Sequence, residues 1–117
     1  MVTNNVELPS QAKAERLTWL IEECGEVIQA ACKILRFGYE SDNQGKRAHD
    51  NRAHLSYEVG QLMYITYVMH ELTDLQIDPI EEGFNTKYKR LLQYARHQPK
   101  EVLTMIETEG KILCNED

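Results

Sequence analysis

Glu22-Glu23-Cys24-Gly25-Glu26 is answered further along the chain by Glu58-Val59-Gly60-Gln61, and these two stretches decide the reading of the fold. The first has the form E-E-x-x-E and the second E-x-x-Q. Both lie in segments with helical periodicity, and residues three or four apart share one helix face. Each segment can therefore aim side-chain oxygens in a single direction. Oxygen clusters of this kind suit a hard divalent cation such as magnesium. Gln61 is the irregular member, a neutral amide where a fourth carboxylate would complete the set.

The segments around these motifs read as helices. Ser10 is a fitting N-cap for a first helix whose apolar residues are Leu17, Leu20, Ile21, Cys24, Ile28, Ala31 and Leu35. Their three- and four-residue steps predict one buried stripe. Gly38 is a natural stop. Residues 38–50 are polar and rich in turn formers, which predicts an exposed, mobile loop. A second helix is expected from about Asp50 to Leu72, with Leu55, Val59, Leu62, Thr66 and Met69 as its main apolar line. Glu58, Gln61, Ile65, Val68 and Leu72 lie beside that line, and Tyr57, Tyr64 and Tyr67 fill much of the rest. A helix apolar on most sides needs neighbours on more than one side.

Asp78-Pro79-Ile80-Glu81 predicts a third helix capped by Asp78, with Ile80, Phe84, Tyr88, Leu91 and Ala95 facing inward. A short helix is expected over 99–109, stopped by Gly110. No segment alternates, so no sheet is expected.

The chain of 117 residues is expected to form a single domain, with its core over about 10–96. A modest core and surplus apolar surface predict a homo-oligomer, a dimer or a tetramer. The net charge of −6 argues against nucleic-acid or membrane partners, which call for a basic face. It leaves a nucleotide substrate open, because a metal can reverse the local sign. No apolar run is long enough to span a bilayer, and Met1–Asn5 lacks the start of a signal peptide. Cys24, Cys32 and Cys114 form no C-x-x-C pair and read as reduced, mostly buried thiols, in keeping with a cytoplasmic location.

The plainer reading of E-E-x-x-E is a solvated acidic face on a good helix former. Three observations weigh against it. Glu58 and Gln61 run into Ile65, Val68 and Leu72, and a buried carboxylate needs a cation, a donor or water. Gly25 and Gly60 sit in mid-helix at a cost of roughly 1 kcal/mol each against alanine, which close helix approach or room for a ligand would explain. Trp19 and Phe37 share the face of Glu23 and Glu26. His49, His54, His70 and His97 make no pattern with the carboxylates. An E-x-x-H di-iron motif, a glycine-rich phosphate loop and a nucleophilic triad are all missing from the spacing.

Taken together, Glu22 to Val27, Lys33-Ile34-Leu35-Arg36-Phe37-Gly38, Asn51 to Leu55 and Glu58 to Leu62 resemble the all-α nucleoside triphosphate pyrophosphohydrolases, in particular the short, single-domain MazG-like branch. That family pairs E-E-x-x-E with E-x-x-D. The resemblance implies an all-α, four-helix-bundle fold, commonly completed by a second subunit. It implies magnesium, or manganese in its place, held by Glu23, Glu26 and Glu58, with Gln61 standing at the aspartate position. It also implies hydrolysis of a nucleoside triphosphate to monophosphate and pyrophosphate, with Glu22 binding a further metal or orienting the attacking water.

Cations must hold the outer phosphates. Lys33 and Arg36 are candidates, as are Lys46 and Arg47 in the loop and Lys87 and Arg90 on the third helix. Lys87 is preferred on the family pattern, and an ordinary solvated charge is the plainer use of each. Trp19 or a tyrosine is the candidate for stacking on the base, although core or subunit packing suits Tyr57, Tyr64 and Tyr67 well. Two functions stay open: a working pyrophosphohydrolase, and a catalytically weakened relative that binds nucleotide or serves assembly because Gln61 replaces the aspartate.

Overall fold

The computed structural model describes residues 6–104, and over that range the chain contains helices, turns and loops with no strand. Three long helices follow in order: α1 Gln11–Phe37, α2 Asn51–Glu71 and α3 Ile77–Tyr94. A further helical turn covers 100–104. The rest of the expected 99–109 helix, its Gly110 stop and Cys114 lie outside the described residues. The all-α class is as expected. No helix among the described residues is long and apolar enough to cross a membrane.

The chain forms two compact units, one ending at Leu75 and the other starting at Gln76. In the first, α1 and α2 pack against each other. Local chemistry sets their ends. Ser10 Oγ accepts a hydrogen bond from the Lys13 amide at 3.2 Å, and Asp50 Oδ1 accepts one from the Ala53 amide at 2.8 Å. Each satisfies an otherwise orphaned first-turn donor. Gly38 ends α1 with φ +87°, a conformation that glycine adopts without a Cβ penalty.

Two contacts show that α1 and α2 are antiparallel. At one end, Asn51 Nδ2 donates to Gly38 O at 2.9 Å. At the other, Arg16 grips Asp74 through Nε to Oδ2 at 2.5 Å and Nη2 to Oδ1 at 3.0 Å. The connecting loop is hydrogen-bonded to the start of α2 and within itself. The Asn51 amide donates to Ser41 O at 2.8 Å, and the Arg52 amide to Tyr39 O at 2.9 Å. Gly45 N donates to Asp42 Oδ1 at 2.8 Å. The loop expected over 38–50 is mostly exposed and carries hydrogen bonds of its own.

The buried stripe of α1 is not the expected one. Arg16, Leu20, Glu23, Val27, Ala30 and Ile34 follow one another at steps of three and four and are buried or half-buried. Of the expected stripe only Leu20 and Ala31 are partly covered, while Ile21, Ile28 and Leu35 are 71 %, 63 % and 87 % exposed. Within its unit α1 has only α2 to pack on, and it turns the more polar of two adjacent lines toward it. Cys24 and Cys32 are accordingly exposed, against the expectation of buried thiols. On α2 the expected line is covered: Met69 is buried, and Leu55, Val59, Leu62 and Thr66 are half-buried. Tyr57, Tyr64 and Tyr67 remain exposed, so α2 is covered on one side rather than most sides.

In the second unit, α3 starts two residues earlier than its sequence signal. Gln76 is the N-cap and makes no side-chain capping bond, so Asp78 is not the cap. Pro79 still lies in the first turn, where its missing amide hydrogen costs nothing. No residue of α3 is buried, and Ile80, Phe84 and Leu91 of the expected inward face are exposed.

Candidate metal centre

The i, i+3 spacing puts Glu23 and Glu26 on one side of α1, and the antiparallel packing brings Glu58 of α2 to meet them. One oxygen from each of Glu23, Glu26 and Glu58 lies within 4.8 Å of the other two. Glu58 is only 7 % exposed, Glu23 is half-buried and Glu26 is exposed. Glu23 Oε2 and Glu58 Oε2 are buried and have no hydrogen-bond partner among the described residues. A buried carboxylate oxygen without a donor is costly, and its neighbours here are also carboxylates.

The electrostatics follow from that crowding. Burial pushes the Glu23 carboxyl above its ordinary value, and the charges of Glu26 and Glu22 add to the effect. Burial also pushes Glu58 up, helped by hydrogen bonding to Glu26 and by the charges of Glu26 and Glu23, while Lys33 pulls it the other way. A cation between the three carboxylates relieves each of these penalties. The donor set is all oxygen, which fits magnesium or manganese better than a soft metal. His54 was not expected near the site, yet its Nε2 lies 3.8 Å from Glu58 Oε1, one helical turn away.

Gln61 is half-buried, and its Nε2 donates to Tyr57 Oη at 3.2 Å. It lines an open cleft of about 520 Å³ together with Glu23, Tyr57, Gly60 and Tyr64. A Cβ at Gly60 or Gly25 would meet nothing within 4 Å, so neither glycine serves a close helix approach among the described residues. Gly60 instead lines the tyrosine cleft, where it adds no side chain. Glu22 is exposed beside Glu23 on α1.

Lys33 and Arg36 line a second cleft, of about 270 Å³, with Phe37, Ser41, Arg47 and Asn51. The Arg36 guanidinium lies 5.4 Å from the centre of the Phe37 ring. Trp19, 39 % exposed, lines neither cleft. Lys87 belongs to the second unit, where it lines a depression with Glu82, Gly83 and Arg90. Sequence reasoning missed the Arg16–Asp74 clasp and the role of Asn51, because both depend on partners distant along the chain.

Residues 4–88 match the family model of phosphoribosyl-ATP pyrophosphohydrolase. The chain belongs to the phosphoribosyl-ATP pyrophosphohydrolase family. That family lies within the MazG-like all-α nucleoside triphosphate pyrophosphohydrolases, so the broader resemblance seen in the motifs holds. The match runs across all of α1 and α2 and most of α3. No curated protein and no solved structure matches the chain. Membership in the phosphoribosyl-ATP pyrophosphohydrolase family places the chain among nucleotide pyrophosphohydrolases at large.

Proposed function

We propose that this chain is a magnesium-dependent pyrophosphohydrolase that cleaves a nucleoside triphosphate between the α- and β-phosphates, giving the monophosphate and pyrophosphate. The observation that carries the proposal is the meeting of Glu23, Glu26 and Glu58, with two of their oxygens buried and unpaired. These three residues would hold the cation, and manganese would serve in its place. When bound, magnesium supplies positive charge against the phosphates and polarises their oxygens.

The chain's own residues do the rest. Tyr57 and Tyr64 wall the cleft that opens beside Glu23, and a nucleobase stacks there in preference to Trp19. Gln61, tied to Tyr57, orients that wall. Lys33 and Arg36 hold the outer phosphates from α1. Glu22, exposed beside Glu23, accepts the proton released as water attacks. The oxygen of that water ends on the α-phosphorus, the bond from that phosphorus to the α–β bridging oxygen breaks, and pyrophosphate leaves with the bridging oxygen.

Gln61 also favours a second reading. Its amide gives the cation no charge, and it is engaged with Tyr57. A chain with three carboxylates in place of four would bind nucleotide and turn it over slowly or not at all.

The exposed line Leu17, Ile21, Ile28 and Leu35 on α1 is a contiguous apolar face of the kind that marks an interface. We propose that a second copy covers it, so that two α1–α2 hairpins form a four-helix bundle, as a dimer or as half of a tetramer.

The test is incubation with magnesium and a panel of ribo- and deoxyribonucleoside triphosphates plus phosphoribosyl-ATP, following pyrophosphate release. Release from at least one substrate, abolished by chelation, is expected. Binding without release would leave the second reading.

A further inference from the structure

The carboxylate cluster is flanked by two clefts of opposite character. The tyrosine-lined one shares Glu23 with the cluster. The other is lined by Lys33, Arg36 and Arg47, with no carboxylate among its lining residues. Lys33 joins this cleft to the cluster, since it follows Glu26 by seven residues on α1 and so shares its helix face. In a chain of net charge −6, three cations gathered around one cleft call for an anion. None of the three forms an ion pair with a carboxylate among the described residues. Arg52, also near the loop, does so with Glu40 at 2.8 Å.

Arg47 is built into place. Its Nη2 donates to Asn51 Oδ1 at 2.8 Å and to Ser41 O at 3.2 Å. Asn51 is 1 % exposed, and its own Nδ2 is spent on Gly38 O at 2.9 Å. The guanidinium is therefore fixed from behind by neutral acceptors, which leave its charge uncompensated. Arg47 Nε is buried and has no hydrogen-bond partner among the described residues. Arg47 also lines the cleft, and a guanidinium fixed there is suited to a phosphoryl oxygen. The first amides of α2 cannot supply this site: Asn51 N donates to Ser41 O, Arg52 N to Tyr39 O, and Ala53 N to Asp50.

We propose that Lys33, Arg36 and Arg47 form the seat of the departing pyrophosphate, with Asn51 acting as a positioning residue for Arg47. This rests on the pyrophosphohydrolase reading above. The order along the molecule is then base, carboxylates, leaving group, with the bond to be cut over the carboxylates. Arg47 is a specificity residue in this arrangement. It favours substrates with phosphates beyond the scissile bond, so a monophosphate gains nothing from it.

Calorimetric titration with inorganic pyrophosphate in magnesium buffer tests the seat, with adenosine monophosphate titrated in parallel. Charge-assisted hydrogen bonds of this type predict that Arg47→Ala weakens pyrophosphate binding by about tenfold or more. Arg36→Ala, which removes no hydrogen bond to the loop, should weaken it in the same direction, so a loop disturbed by Arg47→Ala does not decide the result. Monophosphate binding should change little in either variant. Pyrophosphate affinity equal to wild type in both variants would overturn the seat, as would a loss confined to adenosine monophosphate. If triphosphates are hydrolysed while the variants bind pyrophosphate normally, the seat fails and the enzymatic reading stands. If pyrophosphate binding depends on Arg36 and Arg47 while no triphosphate is hydrolysed, the seat stands and the enzymatic reading fails.

Discussion

Glu23 on α1 and Glu58 on α2 each bury one carboxylate oxygen without a hydrogen-bond partner among the described residues, and each offers its cluster an oxygen within 4.8 Å of the other's. Two acids facing each other in this way destabilise the fold when both are ionised. The chain keeps them despite that cost, which is the physical reason for reading the pair as half of a cation site rather than as packing.

The same pair predicts how stability of the metal-free protein depends on pH. The folded-state values of Glu23 and Glu58 are raised above the ordinary 4.5, so the folded protein binds more protons than the unfolded chain in that range. Stability on this account is fullest below 4.5 and falls as pH rises through the raised values. Asp74, lowered from 3.8 chiefly by its hydrogen bond to Arg16, works in the opposite sense and loses its contribution as pH falls. Thermal melts in chelator should therefore pass through a maximum at about pH 4, between the ordinary Asp and Glu ranges. Added magnesium should restore stability at neutral pH. Asp74→Asn should lower the melting temperature and blunt the loss on the acid side.

Gln61→Asp adds a charge beside the three carboxylates and frees the Tyr57 hydroxyl. Tighter magnesium binding is expected, measured by calorimetry. In a working enzyme turnover changes modestly. A gain from no detectable turnover to rapid hydrolysis would mark the natural chain as the weakened form.

Asn51 is nearly inaccessible and holds both Gly38 O and Arg47. Asn51→Ala leaves a buried carbonyl and a guanidinium donor without their partner. Losing such bonds costs about 1–3 kcal/mol, which denaturant unfolding would register as a lower midpoint at unchanged slope.

Ile28 is 63 % exposed in the middle of the apolar line of α1. Ile28→Glu should shift the mass seen by light scattering from oligomer to monomer and speed reaction of the neighbouring Cys24 thiol with a soluble disulfide reagent. A wild-type protein that is already monomeric at micromolar concentration would remove the bundle proposal.

How much of this was legible beforehand depended on sequence separation. Glu23, Glu26 and Glu58 could be picked out because i, i+3 spacing is local and each motif sits inside one helix. Ser10 as a cap and Gly38 as a stop are equally local. The buried stripe of α1 was misread because the helix carries two adjacent lines. Periodicity reports that a line is apolar, not which neighbour it meets, and the more apolar one stays open in the chain by itself. Asp78 looked like a cap because Asp-Pro is a common helix start, yet α3 begins before it at Ile77. The Arg16–Asp74 clasp and the Asn51–Gly38 bond depend on the antiparallel register of the hairpin, and no local spacing announces that register.

The central claim is that Glu23, Glu26 and Glu58 together hold a divalent cation. Magnesium titration of the chelator-stripped protein at neutral pH, comparing wild type with Glu58→Gln, tests it most directly. Even outer-shell changes at metal sites cost roughly 10–100-fold in affinity, so loss of a direct ligand should weaken binding by at least about 100-fold. The account predicts saturable binding in the wild type and its collapse in the variant, with the helical circular dichroism retained. Equal magnesium affinity in the two proteins would contradict it.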